Sequence, residues 1–125
     1  MSIEYPGDMD FYTWLAQPDI AIFLNANKTH TQFLNNPETV ATEKSKIFAG
    51  MSPTGSAVIN ADDPLIKPPI NIKAYSFGTN PNSFCQIISS TLKKDLTTEM
   101  RYIINASPIQ VNLPLPGEHF AYNTA

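Results

Sequence analysis

The pattern that most constrains this chain is a strand, a helix and a second strand within about forty residues. Ile20-Ala21-Ile22-Phe23-Leu24 is a continuous apolar run between Asp19 and Asn25. A run without polar alternation reads as a strand covered on both faces, the usual state of a parallel strand. Asn36 is then a good N-cap, Pro37 suits a first helical turn, Glu38 favours the positive helix end and Gly50 supplies a stop. These signals predict a helix from Pro37 to about Ala49. Ala57-Val58-Ile59 makes a second short strand ending at Asn60. Parallel neighbours need a long crossover, which the helix supplies with the right-handed sense. The chain is therefore expected to be α/β, with a mostly parallel sheet and flanking helices in this half.

The flanking segments extend that frame. Pro6-Gly7-Asp8 introduces a short helix from about Asp8 to Ala16, with acids in its first turn. "IKAYSF" (72–77) reads as a third strand. Beyond it, 84–89, 99–105 and 109–115 are strand-like with no helical spacers, the pattern of an antiparallel meander. "IQVNLPL" alternates as a half-exposed strand does, and Pro114 puts its end at an edge or outside the ladder. The closing "GEHFAYNTA" has the look of a helix start.

Bulk properties narrow the function classes. A chain of 125 residues is expected to form one domain. Its hydrophobic fraction of 42% describes a soluble globular protein. A net charge of -3 with no Lys/Arg cluster argues against nucleic acid as a partner. Cys85 is alone, which excludes a disulfide framework and a cysteine metal cluster and suggests a buried, inert thiol. No apolar run approaches the roughly 20 residues of a membrane span, and the first residues do not resemble a signal peptide, so the expected compartment is the cytoplasm.

Chemistry is sought beyond the carboxyl ends of the strands, where open α/β sheets bind ligands. The first strand runs out into Asn25-Ala26-Asn27-Lys28-Thr29-His30 and the second into Asn60-Ala61-Asp62-Asp63. A lone histidine is more often a surface or capping residue, and Asp62-Asp63-Pro64 more often a turn than a metal site. On the helix between them the apolar arc is Val40, Ala41, Ile47, Phe48 and Met51, with Glu43 and Lys46 outside it. Lys44 projects into the centre of that arc. It is a snorkelling stem, half of a buried ion pair, or a lysine kept for its chemistry. "GTNPNS" (78–83) imitates a phosphate loop but lacks its second glycine and its lysine, so it reads as a turn. His119 and Asn123, four apart, share a face if a helix begins there.

Taken together, Asn25, His30, Phe33-Leu34, "ATEKSKIF" with Lys44 fourteen residues after His30, and "AVINADDP" resemble the central domain of the Mur ligases. "YPGDMDFYTWLAQPDIAIFLN" and "PLPGEHFAYNTA" extend the resemblance over nearly the whole chain, closest to the branch that adds D-alanyl-D-alanine. The resemblance implies part of an ATP- and magnesium-dependent (Mg2+) ligase. Such an enzyme phosphorylates the carboxylate of a nucleotide-linked muramoyl peptide, and the amine of D-Ala-D-Ala attacks the acyl phosphate. It also implies roles for residues. His30 ligates magnesium, Lys44 is carbamylated and organises the metal site with Asn25 beside it, and Asn123 with His119 lies at the adenine of ATP.

The same register puts a metal-site glutamate just before Met1, a phosphate loop of the type GTNGKT further upstream, and a C-terminal domain beyond the last residue. The chain is thus expected to be a single incomplete domain, inactive alone. Phe120 stands where the family usually has asparagine, and Asn27 where it has glycine. Alternative readings are another Mur ligase, a folylpolyglutamate synthase-like ligase, or a non-catalytic remnant that binds a partner.

Overall fold

The computed structural model describes residues 3–26, 34 and 36–125. The chain forms two compact units, Met1–Ala74 and Tyr75–Ala125.

The first unit contains helix α1 (Asp8–Ala16), strand β1 (Ile20–Phe23), helix α2 (Pro37–Ser45), a single 3₁₀ turn (Lys46–Phe48) and strand β2 (Ser56–Asn60). α2 starts as its sequence dictates: Asn36 is extended and its side chain accepts the Thr39 N–H at 2.7 Å. The helix was expected to run as α to about Ala49. Instead the amide of Lys46 is shared between the Glu43 and Lys44 carbonyls, and Ala49 N–H then bonds to Lys46 O. Such i→i+3 bonds tighten a last turn and satisfy carbonyls that have no α-helical partner. Gly50 is required for a further reason: a Cβ there would lie 2.4 Å from Thr13 Cβ, so α1 passes too close for any side chain.

β1 and β2 pair in parallel, with Ile20 opposite Ser56 and Phe23 opposite Ile59, and α2 lies in the crossover. Ala21, Phe23, Ala57 and Ile59 pack against Ala41, Phe48 and Met51; the Phe23 and Phe48 ring centroids are 6.1 Å apart. A second cluster joins Ile3, Met9, Leu34 and Val40. The expectation that β1 is buried on both faces is not met. Ala21 and Phe23 are buried, whereas Ile20 and Ile22 are 67% and 60% exposed. The period-2 geometry of a strand turns those isoleucines away from the cluster that buries Ala21 and Phe23.

The second unit holds most of β3 (Lys73–Gly78), then β4 (Cys85–Leu92), β5 (Thr98–Ile104), β6 (Ser107–Leu113) and helix α3 (Phe120–Thr124). β3 and β4 are parallel yet only six residues apart, which is possible because they overlap at just two pairs, Phe77 with Cys85 and Gly78 with Gln86. The "GTNPNS" stretch between them is a turn, closed by Ser83 N–H to Asn80 O at 2.9 Å and by Asn82 N–H to the Asn80 side chain. β4, β5 and β6 form the expected antiparallel meander. Asn105 and Ala106 both have positive φ, the two-residue hairpin geometry that matches strand twist. Pro114 lies just past β6, as predicted. Cys85 is buried, and its thiol pKa is pushed up by desolvation. The fold class is α/β with a mixed sheet and flanking helices, as the sequence indicated.

Candidate functional site

The carboxyl ends of β1 and β2 are tied together by polar groups. Asn60 donates its amide to Leu24 O at 2.9 Å and accepts the Asp62 N–H at 2.9 Å. Asp63 accepts the Ala26 N–H on one oxygen at 2.8 Å and the Leu65 N–H on the other at 3.0 Å. "NADDP" is therefore a turn, and its second acid also anchors the exit of β1. That second role lacks a local sequence signal, because Ala26 is 37 residues away.

Lys44 reaches this place from α2. Its amine donates to the backbone carbonyl of Asn25 at 2.9 Å and lies 6.0 Å from the centroid of the Phe23 ring. Around it is a shallow pocket of about 240 Å³ lined by Met9, Ile22, Phe23, Leu24, Asn25 and Ile47. Removal from water lowers the amine's pKa below the ordinary lysine value, and the nearby Asp63 carboxylate partly offsets this. Lys44 is thus half-buried, held by a carbonyl in a partly apolar, open pocket. That is neither a fully solvated stem nor a buried ion pair, and it favours a larger share of neutral, nucleophilic amine.

Glu43 differs from the sequence expectation. It was placed outside the buried arc, yet its side chain is buried and its Oε1 accepts the N–H groups of Gly7 and Met9. Helical periodicity assigns charge to the solvent face and cannot register that α1 brings two uncapped amides to this one.

Of the other sequence candidates, His30 lies outside the described residues, as do Asn27 and Lys28. Asn25 meets Lys44 through its backbone carbonyl. In the second unit His119 is the N-cap of α3, exposed, with its ring 4.3 Å from that of Phe120; Asn123 is exposed one turn on. α3 is docked by Tyr102, whose hydroxyl donates to Ala121 O at 3.1 Å and bonds Thr124. The donors at the strand ends are hard oxygens, a set suited to magnesium rather than to a soft metal. Among the described residues no three His, Cys, Asp or Glu side chains converge, so they do not by themselves form a metal cage.

A parallel strand–helix–strand unit with a desolvated lysine at its carboxyl end is the class of site found here. The family description "Mur ligase middle domain" matches residues 1–125, and the chain belongs to that family. It is 24% identical over 123 residues to the UDP-N-acetylmuramoyl-tripeptide–D-alanyl-D-alanine ligase of Bacillus subtilis, which covers 98% of this chain and 26% of that protein. It is 33% identical over 57 residues to the ligase of the same name from Buchnera aphidicola, covering 46% of this chain and 12% of that one. Its fold is similar to MurF from Acinetobacter baumannii, with a TM-score of 0.82 at 20% identity over 97% of this chain and 27% of that structure. It is likewise similar to MurF from Thermotoga maritima in complex with ADP, with a TM-score of 0.79 at 22% identity over 87% of this chain and 26% of that structure. The chain spans about a quarter of the length of the full-coverage relatives.

Proposed function

We propose that this chain is the metal-site segment of an ATP-dependent ligase of peptidoglycan precursor synthesis. The enzyme joins D-alanyl-D-alanine to UDP-N-acetylmuramoyl-tripeptide through an acyl phosphate. The observation that carries the reading is Lys44: a desolvated amine on Asn25 O, at the carboxyl end of β1, in a chain that belongs to the Mur ligase family along its whole length. A neutral amine captures carbon dioxide, and the resulting carbamate is an anion suited to organising a magnesium site with His30. When bound, magnesium supplies charge neutralisation at the phosphates. Asn25 presents the carbonyl that orients Lys44, Asp63 holds the exit of β1 in place, and Asn123 with His119 contributes to the adenine site.

The test is a ligase assay on the complete polypeptide carrying this segment, with tripeptide carboxylate labelled with oxygen-18. Transfer of label to inorganic phosphate, dependent on D-Ala-D-Ala and accompanied by ADP, is the expected result. Amide formation with AMP as product, or with unlabelled phosphate, would replace the acyl phosphate route by another. Turnover with a different amino acid in place of D-Ala-D-Ala would move the assignment to another branch of the family.

A further inference from the structure

Among the described residues, the proposed chemistry leaves one buried carboxylate without a task. Glu43 is 4% exposed, and both of its oxygens are occupied. Oε1 accepts the Gly7 N–H at 2.8 Å and the Met9 N–H at 3.1 Å. Oε2 pairs with Lys46 Nζ at 2.8 Å, and the same ammonium reaches Asp10 Oδ2 at 2.7 Å. The two amides belong to the opening turn of α1, where backbone N–H groups have no intrahelical partner. The N-cap of α1 is Gly7, which has no side chain to accept the Met9 N–H. Glu43 does from α2 what an N-cap residue does locally, and the two N–H groups and one cation offset the cost of burying its charge.

This attachment has a geometric consequence. Glu43 and Lys44 are adjacent on a helix of nine residues, so their side chains leave the axis about 100° apart. Anchoring Glu43 on α1 sets the rotation of α2, and with it the direction in which the Lys44 stem departs toward β1. A lysine on a helix free to rotate would carry its ammonium to water, because desolvation disfavours the charged form.

We propose that Glu43 is a positioning residue for Lys44: by capping α1 from α2 it fixes the helix rotation that delivers the Lys44 amine to the Asn25 carbonyl. The inference rests on the reading that Lys44 is the functional group of the site. Both carboxylate oxygens of Glu43 are engaged within the protein, so the role assigned to it is positioning.

The experiment uses the 125-residue chain with carbon-13 in its lysine ε-methylene groups, the Lys44 signal being assigned by its loss in Lys44→Arg. Its pH titration reports the amine, and carbon-13 bicarbonate reports a carbamate. Glu43→Asp keeps the charge but shortens the reach by one methylene. Glu43→Gln keeps the reach and an acceptor oxygen but removes the charge. Thermal melts first establish that each variant folds cooperatively.

Glu43→Asp is expected to return the Lys44 midpoint to the ordinary lysine range and to lose the carbamate signal, while Glu43→Gln stays with the wild type. An unchanged midpoint in Glu43→Asp overturns the proposal. So does a Glu43→Gln midpoint displaced from the wild type, which would mean that Glu43 acts on Lys44 as a charge. If the wild type takes up no carbamate while the midpoints move as expected, the Glu43 assignment stands and the carbamate reading of Lys44 falls.

Discussion

The carboxylate of Asp63 accepts the backbone N–H of Ala26 at 2.8 Å, so the turn after β2 holds the exit of β1. The same carboxylate raises the pKa of Lys44 against the larger, opposing effect of desolvation. Asp63→Asn is expected to act on both. Replacing a charge-assisted acceptor by an amide weakens the tie to Ala26, a loss of about 1–2 kcal/mol in urea unfolding. Removing the negative charge lowers the Lys44 midpoint further, which lysine-selective NMR would detect. A midpoint that rises would mean the electrostatic link is misassigned.

Lys44 itself is tested by opposite substitutions in the complete ligase. If it works as a carbamate, Lys44→Ala loses activity by about 100-fold or more and leaves a cavity beside the metal site. Acetate then partly restores the rate by supplying an anion. Lys44→Arg, which keeps the cation but cannot be carbamylated, stays inactive. An active arginine variant together with no acetate effect would show that the residue acts as a cation.

The chain alone is expected to bind ATP weakly. "GTNPNS" is a turn after β3, and no glycine-rich loop with a following lysine occurs in the sequence to hold the β- and γ-phosphates. Calorimetry with ATP and magnesium should give a dissociation constant no tighter than about 1 mM, roughly -4 kcal/mol. Micromolar binding would indicate a different nucleotide site.

Tyr102→Phe removes the hydroxyl that donates to Ala121 O and bonds Thr124. The Ala121 carbonyl keeps the Ala125 N–H at 3.2 Å but loses its second donor, at a cost of about 1 kcal/mol. Hydrogen exchange in residues 120–124 should accelerate more than exchange in β5. Uniform acceleration would mean that the hydroxyl supports the whole unit rather than the attachment of α3.

Asp8 predicts a pH effect. Its carboxylate accepts the N–H groups of Tyr5 and Glu4, each at 2.8 Å, and these bonds hold its pKa below the ordinary value. A depressed carboxylate pKa contributes stability that is present above the unfolded value and lost as pH falls through the folded one. Asp8→Asn should therefore flatten the decline of the urea midpoint between about pH 5 and pH 2. An identical decline in the variant would place acid sensitivity elsewhere.

The sequence by itself determined the elements whose signals are local. α1 was legible from its Pro-Gly-Asp entry and first-turn acids, and α2 from Asn36 and Pro37. The meander was legible from alternation without helical spacers. Lys44 was marked as unusual by its place in an apolar arc, and the family motifs were legible because they are short and contiguous. Tertiary structure alone decided what depends on residues far apart in the chain. It uncovered one face of β1, buried Glu43 through amides 34 and 36 residues away, and brought Asp63 to Ala26 across 37. It also showed that Gly50 answers to the close passage of Thr13. Periodicity says which residues share a face, but burial and pairing depend on which element the fold lays against that face, and no local signal carries that information.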